Sequence, residues 1–195
     1  MNEPYTDIQV FGFHGCKKEV KDSLLSHQIH FEGSKNPWDW LGDGIYFWEN
    51  DFQRALNWAA NYHKEEGAVI GAKIKLATCF DLANSVSRQF LPIAYEDMVS
   101  LYAVEGLQLP TNINPKNHAG NTDDLVLRFL DRAVMHHLFN TLLPQAQPDV
   151  KYGTVRAPFQ EGNELYPGSR FFEHDHIQIC VRDLACITEL FDPEN

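Results

Sequence analysis

The sequence predicts an α+β domain with mainly antiparallel sheets. Three observations predict it: strand-like runs before residue 84, strand-like runs again after residue 148, and a largely helical stretch between them. No internal repeat or low-complexity segment interrupts that order. With 195 residues and 44% apolar composition, the chain is long enough for one sizeable core and short for two. A single domain over residues 1–195 is therefore expected, with a helical insertion at about 84–148.

Each element has its own warrant. Ile8 to His14 reads as a first strand, and Lys18 to Ser26 as a short helix with Val20, Leu24 and Leu25 at helical spacing. EGSKNPWDWLGDG, residues 32–44, is a loop punctuated by glycines and a proline, with two tryptophans inside it. GIYFW, residues 44–48, is a brief buried strand. The clearest helix follows. Asn50 or Asp51 can cap it, and Phe52, Ala55, Leu56, Ala59, Ala60 and His63 form one apolar stripe. Arg54, Trp58 and Tyr62 lie off that stripe. AVIGAKIKL, residues 68–76, alternates Ile70, Ala72, Ile74 and Leu76 against Lys73 and Lys75, which is a half-buried strand.

In the helical middle the strongest segment is Thr122 to Leu143. It opens on Asp123 and Asp124, favourable to the helix dipole, and ends before Pro144. Leu125, Phe129, Leu130, Val134, Leu138 and Leu142 share one face. KYGTVRAPF, residues 151–159, is a further strand, and residues 160–175 form a polar loop. HIQICVRD, residues 176–183, places Ile177, Ile179 and Val181 on one face and Gln178 and Cys180 on the other.

Bulk properties narrow the function. Sixteen basic against 27 acidic side chains leave a net charge of -11, which argues against tracking phosphates over the whole surface. Cys16, Cys79, Cys180 and Cys186 form no CxxC pair and read as reduced thiols of an intracellular protein. The opening MNEPYTDIQV has neither the basic nor the apolar region of a leader, and no stretch approaches membrane-spanning length. A soluble cytoplasmic protein without membrane partners is expected.

Three features ask for one explanation: FGFHGCKK, residues 11–18, ending a strand on His14-Gly15; Tyr46, preceded by Gly44; and Gln178, opposite an apolar strand face. Together they resemble the catalytic domain of the poly(ADP-ribose) polymerases and their diphtheria-toxin-like relatives, ADP-ribosyltransferases that use NAD. FHGCKKEVKDSLL resembles the histidine-glycine strand and its helix. GDGIYFWENDFQRALNWA is the nearest block, GAKIKLATCFDL looks like the next strand, and QICVRDLACI like the final strand pair. The resemblance covers the first 83 residues loosely and about the last 20 well. It does not extend over residues 84–155.

The resemblance implies split antiparallel sheets forming an NAD cleft. Nicotinamide leaves the ribose through an oxocarbenium-like transition state, so such a site must hold both halves of NAD and stabilise developing positive charge. The family pattern implies that His14 bonds the adenine-side ribose and that the Gly15 backbone bonds the nicotinamide carboxamide. Tyr46 would stack on the nicotinamide, and Trp58, allowing one extra residue, would supply a second aromatic face. Gly44 would belong to the same cofactor-binding turn. Many members carry a glutamate where Gln178 stands. An amide accepts a hydrogen bond but cannot act as a base, so transfer of a single ADP-ribose is expected rather than chain elongation. Glu161, Glu164 and Glu173 are candidates for a helping carboxylate.

Plainer readings stand beside these. His14 can be a satisfied core histidine, Tyr46 a strand aromatic, Trp58 a surface indole under the long loop, and Gln178 a polar residue on a solvated face. Lys17, Lys18 and Lys21 are ordinarily a solvated helix face, or lie near the NAD pyrophosphate. The histidine pairs at 174/176 and 136/137 are wrongly spaced for a helical metal site, and no metal is expected. A reactive Cys16 thiolate lacks a histidine–acid relay. The competing functions are a non-catalytic module binding NAD or ADP-ribose, and an NAD glycohydrolase with water as nucleophile. The acceptor, protein or nucleic acid, is not legible. Small stand-alone members of the family act as bacterial toxins or in phage defence, where an antitoxin or regulatory partner would accompany them.

Overall fold

The computed structural model describes residues 5–118 and 120–194. Among them, seven strands follow one hydrogen-bonded order, β4-β5-β6-β2-β1-β3-β7. They are β1 (Tyr5–Lys17), β2 (Ile45–Glu49), β3 (Gly67–Ala77), β4 (Cys79–Asp81), β5 (Thr154–Phe159), β6 (His176–Val181) and β7 (Ile187–Phe191). Among the described residues only β4 and β5 pair in parallel. The resemblance implies two separate sheets; here one order runs throughout, but it nearly parts between β1 and β2. Those strands share two residue pairs, Gly12 with Glu49 and Phe13 with Trp48. Beyond them the His14 imidazole occupies the seam, its Nδ1–H donating to the Tyr46 carbonyl at 2.8 Å. The side chain satisfies an acceptor that a continued β1–β2 ladder would have bonded.

The helices are α1 (Lys18–Leu25), α2 (Phe52–His63), α3 (Ser85–Arg88), α4 (Phe90–Glu105), α5 (Phe129–His137) and α6 (Leu143–Ala146). In α2 the Asp51 carboxylate accepts from the Arg54 N–H, the expected cap. Ala55 and Ala59 bury fully, while Ala60 is exposed and leaves the apolar stripe. One sheet face carries Val155, Ala157 and Cys180 against Met98 of α4 and Val134 of α5, and Trp48 and Val69 against Ala55 of α2. The other face joins Phe47, Ile74, Ile179 and Val181 to Phe31, Ile187 and Leu190.

Three expectations need correction. The helix anticipated over 122–143 begins at Phe129. Asp124 does not open it: its carboxylate bonds His118 and accepts the Gly162 N–H, which holds residues 121–124 to the loop before β6. The cap comes from a distant residue, as Asn112 Oδ1 accepts from the Leu130 and Asp131 N–H groups. Nor does the helical path stop before Pro144. A π-helical turn at Leu138–Leu142 leads into α6, which carries this proline in its first turn. Lys21 also departs from the solvated-face reading. It is buried, and its ammonium pairs with Asp192 and Glu194 behind β7.

Candidate functional site

Strand register decides which expected residues meet. Tyr46 stands opposite Cys180 and Trp48 opposite Gln178 across the β2–β6 pair. Residues opposite one another share a face, so Tyr46 and Gln178 are diagonal neighbours on the helix-covered side. Phe13, paired with Trp48, belongs to that side too. His14 therefore faces the other way, and its ring contacts Phe31 and Phe47 at centroid distances of 5.5 and 5.7 Å. The imidazole joins the pair through the Tyr46 backbone, not through the phenol. Burial lowers the His14 pKa, so the ring is neutral, with Nδ1 protonated and Nε2 left as an acceptor.

The phenol and the carboxamide are tied together by the loop before β2. The Tyr46 hydroxyl donates to the Gly42 carbonyl at 2.8 Å and accepts the Leu41 N–H at 3.0 Å. Burial pushes its pKa up, so it stays protonated. One residue back, the Trp40 indole N–H donates to Gln178 Oε1 at 2.7 Å. Gln178 Nε2 then donates to His176 Nε2 at 3.0 Å, and His176 Nδ1–H to the His174 carbonyl at 2.5 Å. Every donor in this relay has one acceptor, which sets the amide orientation and the imidazole tautomer. Burial lowers the His176 pKa, consistent with a neutral ring.

An aromatic and cationic wall surrounds the relay. The His176 ring stacks on Phe159 at 5.1 Å and lies 6.3 Å from Trp48. The Arg128 guanidinium lies 4.0 Å from the Phe159 ring centroid and 5.0 Å from that of Trp40. Arg54 lies over Trp48 at 5.8 Å and pairs with Glu161 at 2.6 Å. Trp48 Nε1, Arg54 Nε and Arg128 Nε are buried donors with no partner among the described residues. Such orphaned groups are costly unless something accepts from them.

The other expected residues divide. Trp58 lies 5.8 Å from Trp48 and stacks on Tyr62 at 4.8 Å. Gly15 lies beneath it, where a Cβ would come 2.8 Å from Trp58 Cε3 and 2.9 Å from the Ala55 carbonyl. At Gly44 a Cβ would meet the Val181 carbonyl at 2.5 Å. Close packing thus accounts for the missing side chain at both glycines. Glu161 neighbours the relay through Arg54. Glu164 accepts the Gly168 N–H, and Glu173 binds Asn163, so both are engaged within their own loop. Burial raises the Cys16 thiol to about 11, which removes it as a nucleophile. Among the described residues no group of three or more His, Cys, Asp or Glu side chains is arranged to hold a metal ion. No helix among them is long and apolar enough to cross a membrane.

Cavities of about 710, 650 and 230 Å³ lie on other surfaces, and His14, Tyr46, Trp58 and Gln178 line none of the three. The largest borders the site through Asp124 and Glu161. Sequence reasoning missed Trp40, Phe159, His176 and Arg128 as members of this wall. The alternation in HIQ could have found His176, since it puts residues 176 and 178 on one strand face. No local pattern points to Arg128. No protein-family model, curated protein or solved structure matches the chain.

Proposed function

We propose that the chain is an NAD-dependent mono-ADP-ribosyltransferase, acting on a protein or nucleic-acid acceptor. The observation that carries this reading is the meeting of Tyr46 and Gln178 on one face, beside the seam where His14 bonds the Tyr46 carbonyl. In this reading His14 Nε2 accepts a ribose hydroxyl, and Tyr46 and Trp58 flank the nicotinamide. The unpartnered donors of Trp48, Arg54 and Arg128 then meet the oxygens of the dinucleotide. Gln178 contributes a fixed amide dipole to the cationic transition state, with Oε1 oriented by Trp40. The test is nicotinamide release from NAD by the purified chain, with label followed into a cognate lysate. Transfer should be abolished in His14→Ala and in Tyr46→Ala that remains folded by circular dichroism. Absence of transfer to any macromolecule would overturn the assignment.

A second reading has its own observation. Both ends of the Gln178 amide are already bonded within the protein, and it carries no charge. That favours a non-catalytic module for NAD or ADP-ribose. Calorimetric binding of NAD without nicotinamide release selects it, and release of free ADP-ribose without transferred label selects a glycohydrolase.

A further inference from the structure

The groove between α4 and α5 differs in its lining from the other two cavities, which carry carboxylates. Its cavity of about 650 Å³ falls within the range of small-molecule sites. Met98, Leu101, Tyr102, Pro110, Phe129 and Ala133 supply apolar walls. The polar lining is cationic or neutral: Lys35, Arg132, His136, His137 and Thr141. Among the described residues no carboxylate lines it, in a chain whose net charge is -11. The nearby acids are already engaged, Asp97 by His137 Nε2 at 2.6 Å and Asp43 by the Arg132 guanidinium. Lys35 has no ion-pair partner among the described residues. The π-helical turn at Leu138–Leu142 places Thr141 in the wall, and such turns recur at binding sites.

We propose that this groove binds a small amphipathic anion: an apolar chain ending in a carboxylate or a phosphate. The chain lies along Leu101, Tyr102 and Phe129, and the head meets Lys35 and the outer edge of Arg132. A neutral amphiphile would gain only the apolar contact, while a cationic one would meet like charge. The site is separate from the Tyr46–Gln178 face and does not depend on its activity.

Calorimetry of the full chain with dodecanoate, dodecyl phosphate and dodecanol, each below its micelle concentration, tests it. One-site saturable binding is expected for at least one of the anions, about tenfold tighter than for dodecanol. A preference between the two anions identifies the head group. Lys35→Glu should remove the advantage over dodecanol. Leu101→Glu, at a position 43% exposed and tolerant of a polar side chain, should weaken anion binding at least as much. Equal binding of dodecanol, indifference to both substitutions, or no saturable binding would overturn the proposal. So would displacement of dodecanoate by an acidic amphipathic helical peptide at lower concentration, which would make the groove a protein-docking site.

Discussion

The two edges of β1 are built differently. Along one edge, residues Gln9 to Lys17 ladder continuously onto β3. Along the other, only Gly12 and Phe13 pair with β2. On the paired edge the backbone satisfies itself, and side chains are left to packing. On the open edge polar groups must substitute for ladder bonds, as the His14 imidazole does for the Tyr46 carbonyl. Tyr46, whose carbonyl takes that bond, lies diagonal to Gln178 on the neighbouring strand. A ligand at this seam would exploit groups that the fold has already oriented.

The strongest way to break the comparison is to cut what holds the half of the sheet beyond the seam. Arg156 of β5 bonds Glu49 of β2 through Nε at 2.6 Å and Asp81 of β4 at 3.1 Å. Arg156→Ala leaves two largely buried carboxylates facing one another without their cation. It should cost about 3–5 kcal/mol in urea unfolding. Hydrogen exchange in β4 and β5 should then accelerate before exchange in β1 and β3. If both halves open together, the seam is not a mechanical boundary.

The next effect tests the seam itself. Gly15→Val places a branched side chain against Trp58 and the Ala55 carbonyl, and should destabilise by about 3 kcal/mol while shifting tryptophan fluorescence. The pH dependence is smaller and has a definite sign. His14 and His176 both have folded-state pKa values lowered by burial. The unfolded chain therefore binds more protons, and stability, complete above about pH 6.5, is lost as pH falls below that value. His14→Gln should reduce the drop in urea midpoint between about pH 7.5 and about pH 5.5, as read in parallel titrations. An unchanged drop would place the acid sensitivity elsewhere. The smallest effect belongs to the well-paired half. Lys73 and Glu189 bridge β3 and β7 at 2.6 Å on a solvated face, so Lys73→Ala should cost less than about 1 kcal/mol.

Where a residue's role is local, the sequence reads well. Asp51 caps α2, Ile70, Ala72, Ile74 and Leu76 bury on β3, and Gln178 and Cys180 alternate with Ile177 and Ile179 on β6. The failures share one cause, a long-range partner. Asp124 looks like the opening of a helix but serves His118 and Gly162, and Lys21 looks solvated but is paired by two acids from the chain's end. At the site, Tyr46, Gln178 and His14 stand in legible motifs, while the opposite facing of His14 follows only from strand register. Trp40 and Arg128 join the wall from a loop and from the edge of a helix, with no periodicity to announce them.

By itself the sequence determined the strand alternation of β3 and β6 and the Asp51 cap of α2, because each depends on residues within a few positions of one another. Tertiary structure alone decided that β1 and β2 part after two residue pairs and that the Gln178 amide is held by Trp40 and His176. It also decided that a cationic groove opens beside α4. These outcomes depend on which distant groups arrive to satisfy a carbonyl, an amide or a charge, and no local pattern carries that information.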